Sequence, residues 1–130
     1  MFESRSDPIN DPVILWMSGG PGCSSQLALF AENGPYIVND DLSLELNPHS
    51  WNTNATVIWI DQPVGTGFSY SDKPFQKNHN EEGVSEDVYN FLVGLLFNKY
   101  EGKYSKQEFH IFGESVSKTG EYKKVGNELR

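Results

Sequence analysis

Three short runs of consecutive apolar residues constrain the fold more than any other feature of this sequence. Each run is rich in β-branched or aromatic residues and ends at turn-forming residues; the runs are Val13–Met17, Thr56–Ile60 and Phe109–Phe112. Continuous apolar runs of about four to eight residues are typical of strands buried on both faces, as in a parallel sheet. The sequence therefore predicts at least three buried strands.

An amphipathic helix is predicted between the second and third strands. Acidic residues crowd its start, Lys99 lies near its end and Gly102 follows, which matches the helix dipole and the usual stop signal. A strand, a helix and a further strand in this order imply a right-handed crossover and a parallel sheet. Its apolar residues recur at three- and four-residue spacing, at Val84, Val88, Phe91, Leu92, Leu95 and Leu96.

The remaining segments are predicted to be mostly loops. Residues 23–33 are predicted to form a shorter helix after the first strand. Residues 34–55 and 62–80 are rich in Asn, Asp, Ser, Pro and Gly, and so are predicted to be long loops.

Composition and charge exclude several classes of protein. The 130 residues are 37% hydrophobic and 13% aromatic, so a packed core is expected. They carry 10 Lys and Arg against 18 Asp and Glu, a formal net charge of -8. Nucleic-acid binding relies on clustered basic residues, so we expect no nucleic-acid partner. No apolar stretch reaches the length of a membrane span, so we expect no insertion into a membrane.

A candidate nucleophile follows the third apolar run. Gly113-Glu114-Ser115 comes directly after that run, and this is how a strand delivers a serine into a sharp turn. In such a site the oxyanion is stabilised by two backbone N–H groups, one after the serine and one in a loop after an earlier strand. Val116 occupies the first position. The Gly19-Gly20 loop occupies the second, where glycines let the backbone approach a substrate closely.

Five blocks of sequence, in this order, resemble the serine carboxypeptidases. The resemblance is strongest over residues 2–115 and its blocks are highly specific. It implies an α/β fold: a single partial α/β-hydrolase domain over residues 1–130, with a mostly parallel sheet and flanking helices, truncated at both ends. The blocks are Phe2-Glu3-Ser4-Arg5, Trp16-Met17-Ser18-Gly19-Gly20-Pro21-Gly22-Cys23-Ser24-Ser25, Asn47-Pro48-His49-Ser50-Trp51-Asn52, Asp61-Gln62-Pro63-Val64-Gly65-Thr66-Gly67-Phe68-Ser69-Tyr70 and Gly113-Glu114-Ser115.

The resemblance also implies an activity and the residues that perform it. Serine carboxypeptidases remove C-terminal residues from peptides at acidic pH through an acyl-serine intermediate. By resemblance Ser115 is the nucleophile, and Gly20 and Val116 donate the oxyanion N–H groups. The expected partner is the C-terminus of a peptide or protein, and we expect no metal and no cofactor.

A further set of residues is implied to bind the carboxylate at the end of the substrate. The set consists of Ser18, Gly19, Glu32 and Glu114, and the two glutamates are implied to share one proton. Two carboxyl groups in contact cannot both ionise cheaply, so one pKa rises and a protonated carboxyl becomes a hydrogen-bond donor. Acid pH is therefore expected to favour binding.

The sequence departs from the family pattern in the groups that activate the serine. In α/β hydrolases the aspartate and histidine of the triad follow the serine, and residues 116–130 contain neither. His49, His79 and His110 all precede Ser115, and His110 on a predicted strand is expected to be structural. Two alternatives therefore stay open: a catalytically inactive, truncated chain whose role is binding, or part of a related acyltransferase.

Smaller departures surround the elbow. Ser18 stands where the family usually has Asn, and Val116-Ser117-Lys118 replaces Tyr-Ala-Gly. Cys23 is the single cysteine, so the partner of its family counterpart is missing. Ser115-Val116-Ser117-Lys118 also fits the Ser-x-x-Lys motif of penicillin-binding enzymes, but the upstream blocks belong to another fold. A bare Ser-Lys dyad is disfavoured because an exposed lysine is protonated at neutral pH.

Two features bear on the compartment. The family is secreted or vacuolar, whereas the start of this sequence has no apolar segment typical of a signal peptide, so the chain as written is expected in the cytoplasm. Asn54-Ala55-Thr56 fits the N-glycosylation sequon, which makes Asn54 a candidate site in a chain that enters the secretory route.

Overall fold

A parallel sheet of three strands lies at the centre of the structure. The structure is a computed structural model, and it describes residues 1–72 and 80–115, apart from the side chains of Glu81 and Phe97. In chain order the elements are β1 (Val13–Met17), α1 (Gln26–Ala31), β2 (Tyr36–Val38), β3 (Leu44–Leu46), β4 (Thr56–Trp59), α2 (Glu81–Val93) and β5 (Phe109–Gly113). The sheet order is β4-β1-β5, and β2 and β3 form a separate antiparallel hairpin.

The register of the sheet follows the three apolar runs. Val13 at the start of β1 pairs with Thr56 on one side and Phe109 on the other, and both pairings are parallel. The predicted strands are therefore confirmed, although β4 ends at Trp59, one residue before the end of its apolar run, and β5 extends to Gly113. The mostly parallel sheet expected from the sequence is confirmed as well.

Two apolar cores cover the two faces of this sheet. Successive side chains of a strand point to opposite faces, so β1 contributes to both cores. One core joins alternate residues of β1 to α2 and contains Val13, Leu15, Met17, Ile58, Ile60, Val88, Leu92, Leu96 and Tyr104. The other lies on the α1 side and contains Trp16, Ala28, Ala55, Val57 and Trp59. Full burial of each large apolar side chain contributes about 1.5–3 kcal/mol.

The long helix confirms the prediction from apolar spacing. Its N-cap is Asn80, whose side chain accepts a hydrogen bond from the Gly83 N–H at 2.9 Å. α2 continues into a π-helical turn, Gly94–Lys99, and the chain then passes through Gly102, which has a positive φ of 73°. The shorter helix predicted over residues 23–33 is confirmed as α1.

The prediction of a loop over residues 34–55 is wrong. This segment contains the β2–β3 hairpin and a 3-10 turn at Trp51–Thr53. The Arg5 guanidinium holds both ends of the hairpin, since it donates to the Asn47 carbonyl at 2.9 Å and to the Pro35 carbonyl at 2.7 Å. Residues 62–72 form a loop as predicted, and residues 73–79 lie outside the described residues.

The N-terminal segment ties the outer edge of β4 to the turn before β5. Phe2 and Val57 exchange backbone hydrogen bonds at 2.9 Å in each direction. The Glu3 carboxylate accepts a hydrogen bond from Lys103 Nζ at 2.5 Å and another from the Tyr104 hydroxyl. The bonds from Lys103 and Tyr104 lower the pKa of Glu3, because they stabilise its charged form.

We predict that Leu92→Ala lowers the free energy of unfolding by about 2–5 kcal/mol, because it leaves a cavity between α2 and β1. Leu92 is 0% exposed, whereas Leu42 is 81% exposed, so Leu42→Ala is the matched control and should change stability by less than about 0.5 kcal/mol. Urea unfolding followed by tryptophan fluorescence measures both. Equal losses in the two variants would contradict this core.

We predict that Glu3→Gln makes the stability of the fold less dependent on pH. A lowered pKa means that Glu3 stabilises the fold above its ordinary pKa of 4.5 and loses that contribution as the pH falls below it. The side chain is 45% exposed, so the effect should stay below about 1 kcal/mol. The stability gap between wild type and Glu3→Gln should therefore close from neutral pH toward about pH 3. A gap that is constant with pH, or that Glu45→Gln reproduces, would contradict the assignment.

Candidate active site

The carboxyl ends of the three parallel strands meet at one edge of the sheet. The Glu114 N–H, directly after β5, donates to the Met17 carbonyl at 3.0 Å, and the Ile60 N–H donates to the Trp16 carbonyl at 3.3 Å. The ladder thus continues one residue past β4 and β5. It brings together the loop after β1, the loop after β4 and the elbow after β5, and such edges are where open α/β sheets bind ligands.

Ser115 lies at a sharp turn directly beyond this edge. Its φ is 57°, which is the left-handed region that residues other than glycine seldom adopt. Its side chain is exposed. A strand followed by a serine with strained backbone geometry is the arrangement of the nucleophile elbow. Val116, the expected donor of one oxyanion N–H, lies outside the described residues.

Residues 18–25, the glycine loop, follow β1 and turn back on themselves. The Cys23 N–H donates to the Gly19 carbonyl at 3.0 Å, which closes the turn. Gly20 is exposed and has a φ of 119°, and a Cβ built on it would lie 2.9 Å from the Cys23 nitrogen. The turn therefore excludes a side chain at Gly20, and it leaves the backbone there accessible to a ligand.

Three polar side chains join the glycine loop to the end of β4. The Ser25 hydroxyl accepts from the Ser18 N–H at 2.9 Å and donates to the Ile60 carbonyl at 2.6 Å. The Ser24 hydroxyl donates to Asp61 Oδ1 at 2.6 Å, and the Phe68 N–H donates to Asp61 Oδ2 at 2.9 Å. Motif reasoning did not identify these contacts, although Ser24, Ser25 and Asp61 lie in the blocks that carry the family resemblance.

Two buried donors near this edge lack hydrogen-bond partners. Trp16 Nε1 and Ser18 Oγ are both buried, and neither has a partner among the described residues. Trp16 lies in the core on the α1 face of the sheet and pairs with Phe112 in the register of β5, and Ser18 follows β1 at the same end. The family resemblance implied a binding role for Ser18 but none for Trp16. Both groups remain able to donate a hydrogen bond.

The predicted glutamate pair approaches the site from two elements. Glu32 is the exposed C-cap residue of α1, and Glu114 is exposed after β5. Trp51 packs on the same side of the sheet: its ring centroid is 4.8 Å from that of Trp16 and 5.1 Å from that of Phe112. Among the described residues, no hydrogen bond joins the two carboxyl groups. The shared proton stays a prediction.

The described histidines, His49 and His110, are paired with groups other than Ser115. The His49 N–H donates to Asn47 Oδ1, and His110 Nε2 on β5 lies 3.6 Å from Glu108 Oε2. Within residues 1–72 and 80–115, no histidine or aspartate is hydrogen-bonded to Ser115. His79 and Lys118 lie outside the described residues.

The described part of the chain has neither a metal-binding cluster nor a membrane-spanning helix. Residues 1–72 and 80–115 contain no group of three or more His, Cys, Asp or Glu side chains placed to hold a metal ion. Within the same ranges, no helix is long and apolar enough to cross a membrane.

Comparison with known proteins decides the family. Residues 1–122 match the family model described as serine carboxypeptidase. The chain belongs to the serine carboxypeptidase family. It is 52% identical over 116 residues to serine carboxypeptidase S10 family member 1 of Dictyostelium discoideum, covering 89% of this chain and 27% of that protein. It is 53% identical over 116 residues to carboxypeptidase Y homolog A of Botryotinia fuckeliana, covering 89% of this chain and 20% of that protein.

A solved structure of the same family confirms the fold. A prohormone-processing carboxypeptidase from Saccharomyces cerevisiae superposes with a TM-score of 0.67 at 31% identity, covering 96% of this chain and 27% of that one. The parallel sheet with α1 and α2 on opposite faces is therefore part of an α/β-hydrolase fold, as expected. Coverage of 20–27% means that this chain spans about a quarter or less of the length of these serine carboxypeptidases.

We predict that Gly67→Ala destabilises the site, whereas Gly94→Ala does not. A Cβ on Gly67 would lie 2.1 Å from Asp61 Oδ2 at a φ of 52°, so the carboxylate must move and a strained conformation costs about 1–3 kcal/mol. A Cβ on Gly94 meets nothing within 4 Å, and alanine in a helical conformation should add up to about 1 kcal/mol of stability. Thermal unfolding of both variants checks this prediction, and a neutral Gly67→Ala would contradict the packing of Asp61 against Gly67.

Proposed function

We propose that this chain carries the nucleophile, the glycine loop and the carboxylate-binding groups of a serine carboxypeptidase. The observation that supports this most directly is Ser115 in a left-handed elbow beside the loop of Gly19 and Gly20. A serine hydroxyl and an exposed glycine backbone at one sheet edge are among the parts that acyl transfer requires. Family membership supports the same reaction.

In the proposed reaction, Ser115 Oγ attacks the carbonyl carbon of the last peptide bond. The N–H groups of Gly20 and Val116 stabilise the negative charge on the carbonyl oxygen. The serine proton passes through a base to the leaving nitrogen as the C–N bond breaks, and water then hydrolyses the acyl ester. Neither His49 nor His110 is bonded to Ser115, so the described residues do not supply this base.

The proposed substrate is a peptide with a free C-terminus. Its terminal carboxylate would accept hydrogen bonds from the unpartnered Ser18 Oγ and Trp16 Nε1. Hydrogen bonds to a charged acceptor are roughly twice as strong as neutral ones, which favours a carboxylate over an amide. The family resemblance assigns Glu32 and Glu114 to the same carboxylate-binding role.

We also propose that Asn54 is glycosylated in a protein that enters the secretory route. Asn54 is exposed at the C-cap of the Trp51–Thr53 turn, and Thr56, the third residue of the sequon, begins β4. An exposed asparagine at the end of a turn is accessible to the transferring enzyme. This compartment follows from the family and the sequon together.

We predict that a fluorophosphonate probe labels the folded chain on Ser115 and that Ser115→Ala abolishes the label. Ser105→Ala, which removes another exposed serine hydroxyl, is the control and should label like wild type. Intact-mass spectrometry counts one adduct, and peptide mapping locates it. No label on folded wild type, or a label that survives Ser115→Ala, would contradict a peptidase and favour an inactive, binding chain. Transfer of the acyl group to an added amine or alcohol in preference to water would instead favour an acyltransferase.

A further inference from the structure

We propose that Asp61 is a positioning residue, which holds the glycine loop in the shape that its oxyanion N–H group requires. The inference rests on the proposed function, because it takes the Gly20 N–H as the donor to the substrate carbonyl oxygen. Among the described residues, the hydrogen bonds of Asp61 join it to Ser24, Phe68 and Ser69, and none joins it to Ser115. It acts through Ser24.

The first support is the pattern of bonds at two adjacent serines. The Ser24 hydroxyl donates to Asp61 Oδ1 at 2.6 Å and accepts from the Gln26 N–H at 3.2 Å. The Ser25 hydroxyl joins the Ile60 carbonyl, one residue before Asp61. The carboxyl end of the glycine loop is therefore fixed at two consecutive points to the end of β4. A bond from a hydroxyl to a carboxylate is the stronger kind, because the acceptor is charged.

The second support is that Asp61 is itself held in one orientation. Its Oδ2 accepts from the Phe68 N–H at 2.9 Å, and its carbonyl accepts from the Ser69 hydroxyl at 2.6 Å. The side chain of Asp61 packs against Gly67, where even a Cβ would clash, and the residue is 6% exposed. Because both of its oxygens are hydrogen-bonded, the carboxylate restrains the position of the Ser24 hydroxyl.

The third support is the short path from Ser24 to Gly20. The Cys23 N–H donates to the Gly19 carbonyl at 3.0 Å, so the turn that contains Gly20 closes on the residue directly before Ser24. A displacement of Ser24 is therefore passed to the turn. A misplacement of about 1 Å can reduce a reaction rate about 100-fold, so small shifts of the Gly20 N–H matter.

Asp11 supplies a matched control at the opposite end of β1. Its Oδ2 accepts from the Ser4 hydroxyl at 2.5 Å and from the Asp7 N–H at 2.9 Å, so it pairs with one hydroxyl and one backbone donor as Asp61 does. Asp11 precedes β1, whereas the glycine loop follows it. Asp11→Asn therefore removes the charge of a carboxylate that pairs with a hydroxyl and a backbone donor, far from the candidate site.

The test measures the kinetics of fluorophosphonate inactivation in Asp61→Asn, Ser24→Ala, Ser24→Thr, the Asp61→Asn/Ser24→Ala double variant and Asp11→Asn. Asn has one acceptor oxygen for the two donors that Asp61 binds. We expect Asp61→Asn and Ser24→Ala each to lower the limiting rate of inactivation about 10-fold or more while the half-saturating probe concentration is unchanged, since misplacement affects the reacting geometry. Ser24→Thr should restore the rate, and the double variant should be no slower than either single variant, because coupled residues are not additive.

A second readout does not require a reactive serine. Amide hydrogen exchange, resolved by residue, should become at least about 5-fold faster at Gly19 and Gly20 in Asp61→Asn and Ser24→Ala, with β1 unchanged, because the loop opens locally. If wild type takes no label, the proposed function fails while this readout still decides the positioning role. Unchanged exchange at the two glycines would overturn the inference. So would effects of the two single variants that add in the double variant, or an effect of Asp11→Asn as large as that of Asp61→Asn. If Asp61→Asn does not fold, the comparison of Ser24→Ala with Ser24→Thr decides whether the hydroxyl of residue 24 positions the loop.

Discussion

The parallel register of β1 with both of its neighbours is the constraint on which the candidate site depends. β1 is bonded to β4 along one edge and to β5 along the other, and its side chains fill both cores. This register places Ser18, Asp61 and Glu114 side by side just beyond the strands. Side chains alternate between faces, so a one-residue slip of β5 would turn Glu114 to the opposite face and displace Ser115 from the glycine loop. The position of the candidate nucleophile is therefore set by core packing at some distance from it.

The sequence predicted those elements that have one dominant local cause. β1, β4 and β5 are continuous apolar runs, and α2 has a clear apolar spacing with acidic residues at its start, so local patterns were sufficient. The β2–β3 hairpin was not predicted, because its strands have three residues each and all six of these residues are exposed, which leaves no alternation of burial to detect. Its ends are held by Arg5, which is 30 and 42 residues away from the carbonyls it binds. A contact of that range leaves no local pattern.

The same distinction separates the site residues that could be found from those that could not. Ser115 and Gly20 belong to short motifs whose chemistry is local, since a strand must deliver a serine and glycines must admit a substrate. Asp61 follows a strand and precedes Gln62-Pro63, which is typical of a turn residue, and its partner Ser24 lies 37 residues earlier. The role of Glu32 could be read only from the family resemblance, because the C-cap residue of a helix of six residues is ordinarily a solvated side chain.

Polar groups at this edge of the sheet fall into two kinds, and the difference between them supports a site built for a ligand. Asp61, Ser24 and Ser25 are paired through short hydrogen bonds, which hold the backbone in one shape. Trp16 Nε1 and Ser18 Oγ are buried without partners among the described residues, and each such group costs about 1–3 kcal/mol of stability. An apolar side chain at either position would remove that cost. A fold that retains unpaired donors next to the paired side chains of Ser24, Ser25 and Asp61 is destabilised locally, and a carboxylate that accepted hydrogen bonds from Trp16 Nε1 and Ser18 Oγ would offset this.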